Sequence, residues 1–110
     1  MQFLAARDYT AARSELVKAR TLQSGDEAAL AALAVAADLT GDFRLADRAY
    51  DKLLTSATDR AMLFNNMGYS FMLRGELETA LDYLTEASRL QPDNPTIRNN
   101  LAMLRRVTVR

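Results

Sequence analysis

Residues 61–94 read AMLFNNMGYSFMLRGELETALDYLTEASRLQPDN, and this stretch decides the fold. Two helical patterns meet across Arg74-Gly75-Glu76, and Pro92-Asp93-Asn94 closes the unit. Phe64, Met67, Gly68 and Phe71 share one stripe of the first pattern, and Leu77, Ala80, Leu81, Leu84 and Ala87 share one stripe of the second. The small Gly68 and Ala80 let two helix backbones approach closely, with Phe64, Phe71 and Leu84 filling the space around that contact. A single hairpin of this kind leaves apolar faces uncovered, so it needs neighbours.

The neighbours recur at a fixed step. A shift of 34 residues links Ala12, Ala46 and Ala80, then Tyr9, Phe43 and Leu77, then Leu16, Tyr50 and Leu84. It also links Leu30 with Phe64, Leu33 with Met67 and Leu101, Ala34 with Gly68 and Ala102, and Gly41 with Gly75. The acid of the turn repeats as Asp8, Asp42 and Glu76. Helix–turn–helix units at this period are the mark of tetratricopeptide (TPR) arrays, and the chain resembles that family throughout. In 61–94 the family pattern is met at Phe64, Met67, Gly68, Phe71, Ala80, Leu84, Ala87 and Pro92; in 27–60, Ala34 answers Gly68 and Thr58 answers Pro92. The resemblance implies an all-α superhelix, a TPR solenoid of antiparallel helix pairs with about seven helices. The expected organisation is one domain over 1–110: a partial repeat in 1–26, repeats in 27–60 and 61–94, and a partial repeat or terminal helix in 95–110.

Composition agrees with a helical, globular chain. Of the 110 residues 49% are hydrophobic and 25% charged, which excludes a disordered chain. Four Gly and two Pro are too few for a sandwich or barrel. Lys plus Arg and Asp plus Glu both number 14, so the basic excess of a nucleic-acid binder is missing. No stretch approaches the ~20 apolar residues of a membrane span, and the opening residues lack a signal-peptide core. Cysteine and histidine are both absent. That removes His-based triads, Cys nucleophiles and the usual zinc ligands. The carboxylate pairs Asp47/Asp51, Glu78/Asp82 and Asp82/Glu86 alternate with Arg48, Lys52 and Arg89, as on a solvated, ion-paired helix face. The expectation is a non-enzymatic chain with no cofactor and no metal.

Elsewhere, residues 1–7 read as the tail of a first helix, with Phe3 and Leu4 facing the next one and Asp8 marking the turn. A second helix then runs from about Tyr9 to Gln23 with Tyr9, Ala12, Leu16 and Ala19 inward. Gly25 suits a helix end, and either Ser24 with Glu27 or Asp26 alone caps the following helix. Residues 27–39 are apolar most of the way round, implying contacts on more than one face. Asn94 is placed as an N-cap with Pro95 at the first helical position. A start inside a helix, and an end at Val107-Thr108-Val109-Arg110 without a polar covering helix, fit a segment of a longer array, or ends completed by another copy of the chain.

A second stripe on 61–73 carries the functional expectation. Met62, Asn65, Asn66, Tyr69, Met72 and Leu73 share a face that turns in part away from the Phe64/Met67/Gly68/Phe71 stripe. The step of 34 adds Asn99, Asn100, Met103 and Arg106 beside it, and Ala28, Ala31, Ala32, Val35 and Asp38 on the other side. In the TPR family the first helices line the concave ligand surface. The resemblance therefore implies a groove floored by Ala31, Ala32 and Val35 and lined by Asn65, Asn66, Tyr69, Met72, Asn99, Asn100, Met103 and Arg106. Asn supplies both donor and acceptor for a peptide backbone, and Met and Tyr supply adaptable apolar contact. Packing between repeats is the competing role for Met62, Leu73 and Met103, and a structural hydrogen bond for Asn66 and Asn100.

Chaperone-binding members of the family hold a terminal carboxylate with several cations. Here Ala31, Met62, Asn65, Thr96 and Asn99 stand where Lys would be wanted, so that clamp is not expected. Residues 65–69 and 98–105 resemble TPR proteins of bacterial pilus and secretion assembly of the Tad/Flp type. The expected function is a protein-interaction scaffold that binds a peptide or partner helix in the groove. Two alternatives remain: a self-associating module joined through its terminal helices, and a regulatory segment of a larger enzyme. Neither compartment, cytoplasm or periplasm, is selected.

Overall fold

A computed structural model describes the backbone of residues 2–108 and the side chains of residues 11–108. Its helices are α1 (Gln2–Ser24), α2 (Glu27–Leu39), α3 (Phe43–Ser56), α4 (Arg60–Leu73), α5 (Leu77–Leu90) and α6 (Pro95–Thr108), with no strand among the described residues. They form an all-α helical repeat superhelix in which α2 pairs with α3 and α4 with α5 as antiparallel hairpins. The radius of gyration is 16.3 Å, against about 13 Å for a compact domain of this size. The hairpins are therefore stacked in a row instead of gathered around one centre.

Helix ends follow local chemistry. Asp26, Asp42 and Asp59 each accept the backbone N–H three residues on, from Ala29, Leu45 and Met62, at 3.2, 3.2 and 3.1 Å. Asn94 accepts from Thr96 and Ile97 at 2.9 and 3.3 Å, with Pro95 opening α6 as expected. Of the two caps open at residues 24–27, Asp26 is the one formed; Glu27 is engaged elsewhere. Gly41 and Gly75 both adopt φ 80°, which lets the chain reverse directly after α2 and α4.

Six helices stand where about seven were expected, because α1 runs unbroken through Asp8. The residue in step with Gly41 and Gly75 is Arg7. An L-residue resists the left-handed conformation that both turns use, so the helix continues. The expected inward positions Ala12, Leu16 and Ala19 are exposed, Leu16 at 50%, and among the described side chains of α1 only Leu22 is buried. No described helix lies over that face. The side chains of Phe3, Leu4 and Tyr9, and residues 109–110, lie outside the described residues. The even apolarity of α2 is also only partly used: Leu30, Ala34 and Ala37 are buried, while Ala32, Val35 and Leu39 face solvent.

The core is made of small residues backed by large ones. Ala34, Ala46 and Ala49 lie in one buried cluster in the first hairpin, with Leu30, Leu53 and Leu63. Gly68 meets Leu84 and Ala80 in the second: a Cβ built on Gly68 would stand 2.6 Å from Leu84 Cγ and 3.2 Å from the Ala80 carbonyl. Tyr83 stacks on both Phe64 and Phe71, at centroid distances of 6.0 and 5.5 Å, and seals the edge of that contact. Of the acidic pairs on the outer faces, Asp47 is bridged by Arg74 and Glu86 by Arg89, each at a closest approach of 2.6 Å.

Replacing Gly68 with alanine would gain about 1 kcal/mol of helix propensity and lose more to overpacking, typically 1–3 kcal/mol. Leu84 is fully buried and has no room to retreat. We predict that Gly68→Ala lowers the urea midpoint of unfolding. A midpoint at or above that of the native chain would show that the two helices can separate without loss.

Candidate functional site

The first helices of successive hairpins, α2 and α4, lie side by side, and α6 continues the row. Two cavities open along this face. One, of about 360 Å³, lies between the N-terminal halves of α2 and α4, over Ala28, Ala31, Leu53, Met62 and Leu63. Its space comes from the two alanines, which leave nothing but methyl groups on that part of α2. The other, of about 200 Å³, is lined by Val35 and Leu39 of α2, Asn65, Tyr69 and Leu73 of α4, and Asn100 of α6. Asn66 borders both, so the two cavities adjoin along this face and together make up the candidate groove.

The groove walls are held by bonds between hairpins. Glu27, at the start of α2, accepts the Thr58 backbone N–H at 2.9 Å and that of Asp59 at 3.4 Å, with the Thr58 hydroxyl at 3.2 Å. These donors, the Thr58 N–H first, hold the Glu27 carboxyl below the usual carboxylate range. Just before α6, Asn94 Nδ2 lies 3.7 Å from Met62 Sδ, and on α6 Asn100 Nδ2 donates to Asn65 Oδ1 at 2.9 Å.

Beneath the second cavity sits Asp38, only 6% exposed. The Tyr50 hydroxyl donates to one of its oxygens at 2.7 Å and the Ser70 hydroxyl to the other at 2.6 Å. The Asn66 carbonyl lies 3.2 Å from the same phenol. A hydroxyl has one proton, and the shorter, charge-assisted bond to Asp38 takes it. Arg74 completes the set: it donates to Ser70 Oγ at 2.8 Å and grips Asp47 with both terminal nitrogens, its guanidinium between the Phe43 and Phe71 rings. Its Nε–H is buried there with no hydrogen-bond partner among the described residues.

Of the residues expected in the groove, Ala31, Val35, Asn65, Asn66, Tyr69 and Asn100 line it. Met72 instead turns toward α6 and packs against Leu84, Leu101 and Leu104. Asn99, Met103 and Arg106 are exposed on α6 but border neither cavity, and Ala32 is exposed beside the groove. Asn65 is both a groove residue and a structural one, 3% exposed and bonded to Asn100. Glu27 and Asp59 border the first cavity and escaped the sequence reading, which saw them as helix-start residues only. The sequence signal was there in the step of 31 from Glu27 to Thr58, one hairpin apart, but nothing in a stripe of helical spacing reveals a bond to a loop. No family model matches the chain, and no curated protein matches it. No helix among the described residues is long and apolar enough to cross a membrane.

Burial, and then the bond to Asp38, push the Tyr50 phenol well above its ordinary value of 10.0. A folded-state value above the unfolded one means stability that is full below pH 10.0 and is lost as pH rises beyond it, because only the unfolded chain then releases the proton. We predict a fall in thermal stability above that pH which is blunted in Tyr50→Phe. Equal alkaline slopes for the two chains would show that Tyr50 ionises without opening the joint.

Proposed function

We propose that the chain is a tetratricopeptide-repeat module, not an enzyme, and that its groove binds an extended peptide segment of a partner protein. The supporting observation is the pair of adjoining cavities along α2 and α4. Its floor is apolar, and beside the floor stand amides not used up by the fold. The Asn66 side chain makes no hydrogen bond among the described residues, and Asn65 and Asn100 bond to each other through one donor and one acceptor only. The remaining Nδ2 of Asn65, Oδ1 of Asn100 and whole amide of Asn66 match the alternating N–H and C=O of a peptide backbone.

From Ala28 to Leu39 the groove follows α2 for roughly 17 Å at 1.5 Å per residue. At about 3.3 Å per extended residue that length accepts about five residues. The family reading rests on the step of 34 and on the stacked hairpins, and the resemblance of 65–69 and 98–105 adds bacterial pilus or secretion assembly as the proposed setting.

Ala28 is exposed and borders the first cavity, so tryptophan there fills the groove without entering the core. We predict that the native chain binds members of a blocked pentapeptide library, that amide shifts on binding cluster on α2 and α4, and that Ala28→Trp weakens binding about tenfold or more. Shifts confined to other faces, or unchanged binding by Ala28→Trp, would sink the groove reading.

Exposed Leu16 and Val17 on α1, and Leu81 and Val107 at the other end of the stack, favour a second reading, end-to-end self-association. A mass by light scattering that rises with concentration is expected on that reading, and a constant monomer mass removes it.

A further inference from the structure

We infer that the groove selects a cationic partner segment: a short extended stretch with an apolar side chain in the first cavity and a Lys or Arg beside it. The inference rests on the peptide-groove reading and adds the chemistry of the occupant.

Three observations carry it. The first cavity joins a floor of Ala28, Ala31, Leu53 and Met62 to a rim bearing two carboxylates, Glu27 and Asp59. The two are adjacent, since Glu27 Oε2 lies 3.4 Å from the Asp59 backbone nitrogen. Glu27 accepts only from uncharged donors, Asp59 likewise spends one oxygen on the Met62 N–H, and neither has a cation within ion-pairing distance among the described residues.

The second cavity adds Asp38, whose direct partners, Tyr50 and Ser70, are neutral hydroxyls. No Lys or Arg lines either cavity among the described residues. The nearby cations are turned elsewhere. Arg60 donates to the Leu54 carbonyl and lies over the Phe64 ring at 5.2 Å. Arg74 is ion-paired to Asp47 and also feels the charge of Asp38 across Ser70, so the rim carboxylates Glu27 and Asp59 carry the preference.

This imbalance is local, because the whole chain carries as many cations as anions, 14 of each. A groove lined by one sign of charge over an apolar floor draws a ligand of the opposite sign and repels one of its own. An apolar side chain gains from the floor, and an adjacent Lys or Arg reaches the rim, its methylene stem lying along the alanines. An acidic or purely polar segment gains neither.

The discriminating variant is Asp59→Asn. Asparagine caps a helix as well as aspartate does, so the bond to the Met62 N–H survives while the charge goes. The probe is a positional-scanning library of blocked pentapeptides, presented to the native chain, to Asp59→Asn and to Ala28→Trp. On this inference Lys and Arg are enriched and Asp and Glu depleted beside an apolar position. Added NaCl weakens that preference, and Asp59→Asn reduces it about threefold, the scale of one exposed ion pair. Asp59→Asn weakens the binding of Lys- and Arg-bearing members more than that of neutral apolar members. Apolar enrichment with no cationic preference, or a preference that survives Asp59→Asn and salt alike, overturns the charge inference and leaves the peptide groove standing. Absence of any binding member, or equal binding by Ala28→Trp, overturns the groove reading and this inference with it.

Discussion

A buried carboxylate sets the geometry of this repeat stack. Asp38 closes α2, Tyr50 belongs to α3 and Ser70 to α4, so one side chain is bonded across three helices and two hairpins. Taking a carboxylate out of water costs several kcal/mol unless its oxygens are matched by donors. Here each oxygen has a hydroxyl donor, and Arg74, sandwiched between Phe43 and Phe71, steadies Ser70 from the far side. Such an arrangement is satisfied at one spacing of α2 and α4 and unsatisfied at others. Apolar packing alone would tolerate sliding, since alanines present little relief. The separation of those helices is also the width of the groove, so the joint and the candidate site are one piece of geometry.

The other junctions show that the repeat is regular in backbone but not in chemistry. Glu27 clasps the loop at Thr58; one hairpin later the residue in step with Glu27 is Ala61, which has no polar side chain, and the loop before α6 is met by Met62 opposite Asn94. A strong charge-assisted set of bonds is thus replaced by a weak N–H to sulfur contact. Between α4 and α6 the polar joint is an amide pair, Asn65 with Asn100, in place of a carboxylate with two hydroxyls. The small-residue contact repeats more faithfully: Ala34 against Ala46 in one hairpin, Gly68 against Ala80 in the next. Close backbone approach is a steric demand that few side chains meet, whereas a polar joint can be built in several ways.

That difference explains what could be read from the chain beforehand. The step of 34, the turns at Gly41 and Gly75 and the cap at Asn94 all express backbone demands, and the structure follows them. The turn at Asp8 failed for the same kind of reason, Arg7 lacking the freedom of glycine. Joints escape a sequence reading because they depend on partners distant in sequence. Helical spacing puts Asp38 on the groove-side stripe but cannot assign it Tyr50 and Ser70, and nothing in the spacing singles out Tyr83 as the ring between Phe64 and Phe71. The groove stripe divides because of its width. At about 100° per residue, Asn65 and Met72 fall on the edge of α4 nearer α6, and Asn66 and Leu73 on the edge nearer α2. The first pair is drawn into bonds and packing with α6, and the second borders the open groove.

The amides themselves show why the groove opens where it does. In the repeat, Asn100 occupies the position of Asn66, and Asn65 the position of Ala31. Asn100 reaches back one helix and finds an amide oxygen on Asn65. Asn66 shares the first cavity with Ala31, whose methyl group offers nothing to bond. The same backbone position is therefore closed between α4 and α6 and open between α2 and α4. An amide with no partner among the described residues, beside a cavity floored by alanine, is a poor arrangement for stability alone, since an added side chain on α2 would both fill the space and satisfy the group. It is a good arrangement for holding something that comes from outside the chain. The first cavity thus follows from two specific residues departing from the repeat, and it is that departure, more than the solenoid form, which argues for a ligand.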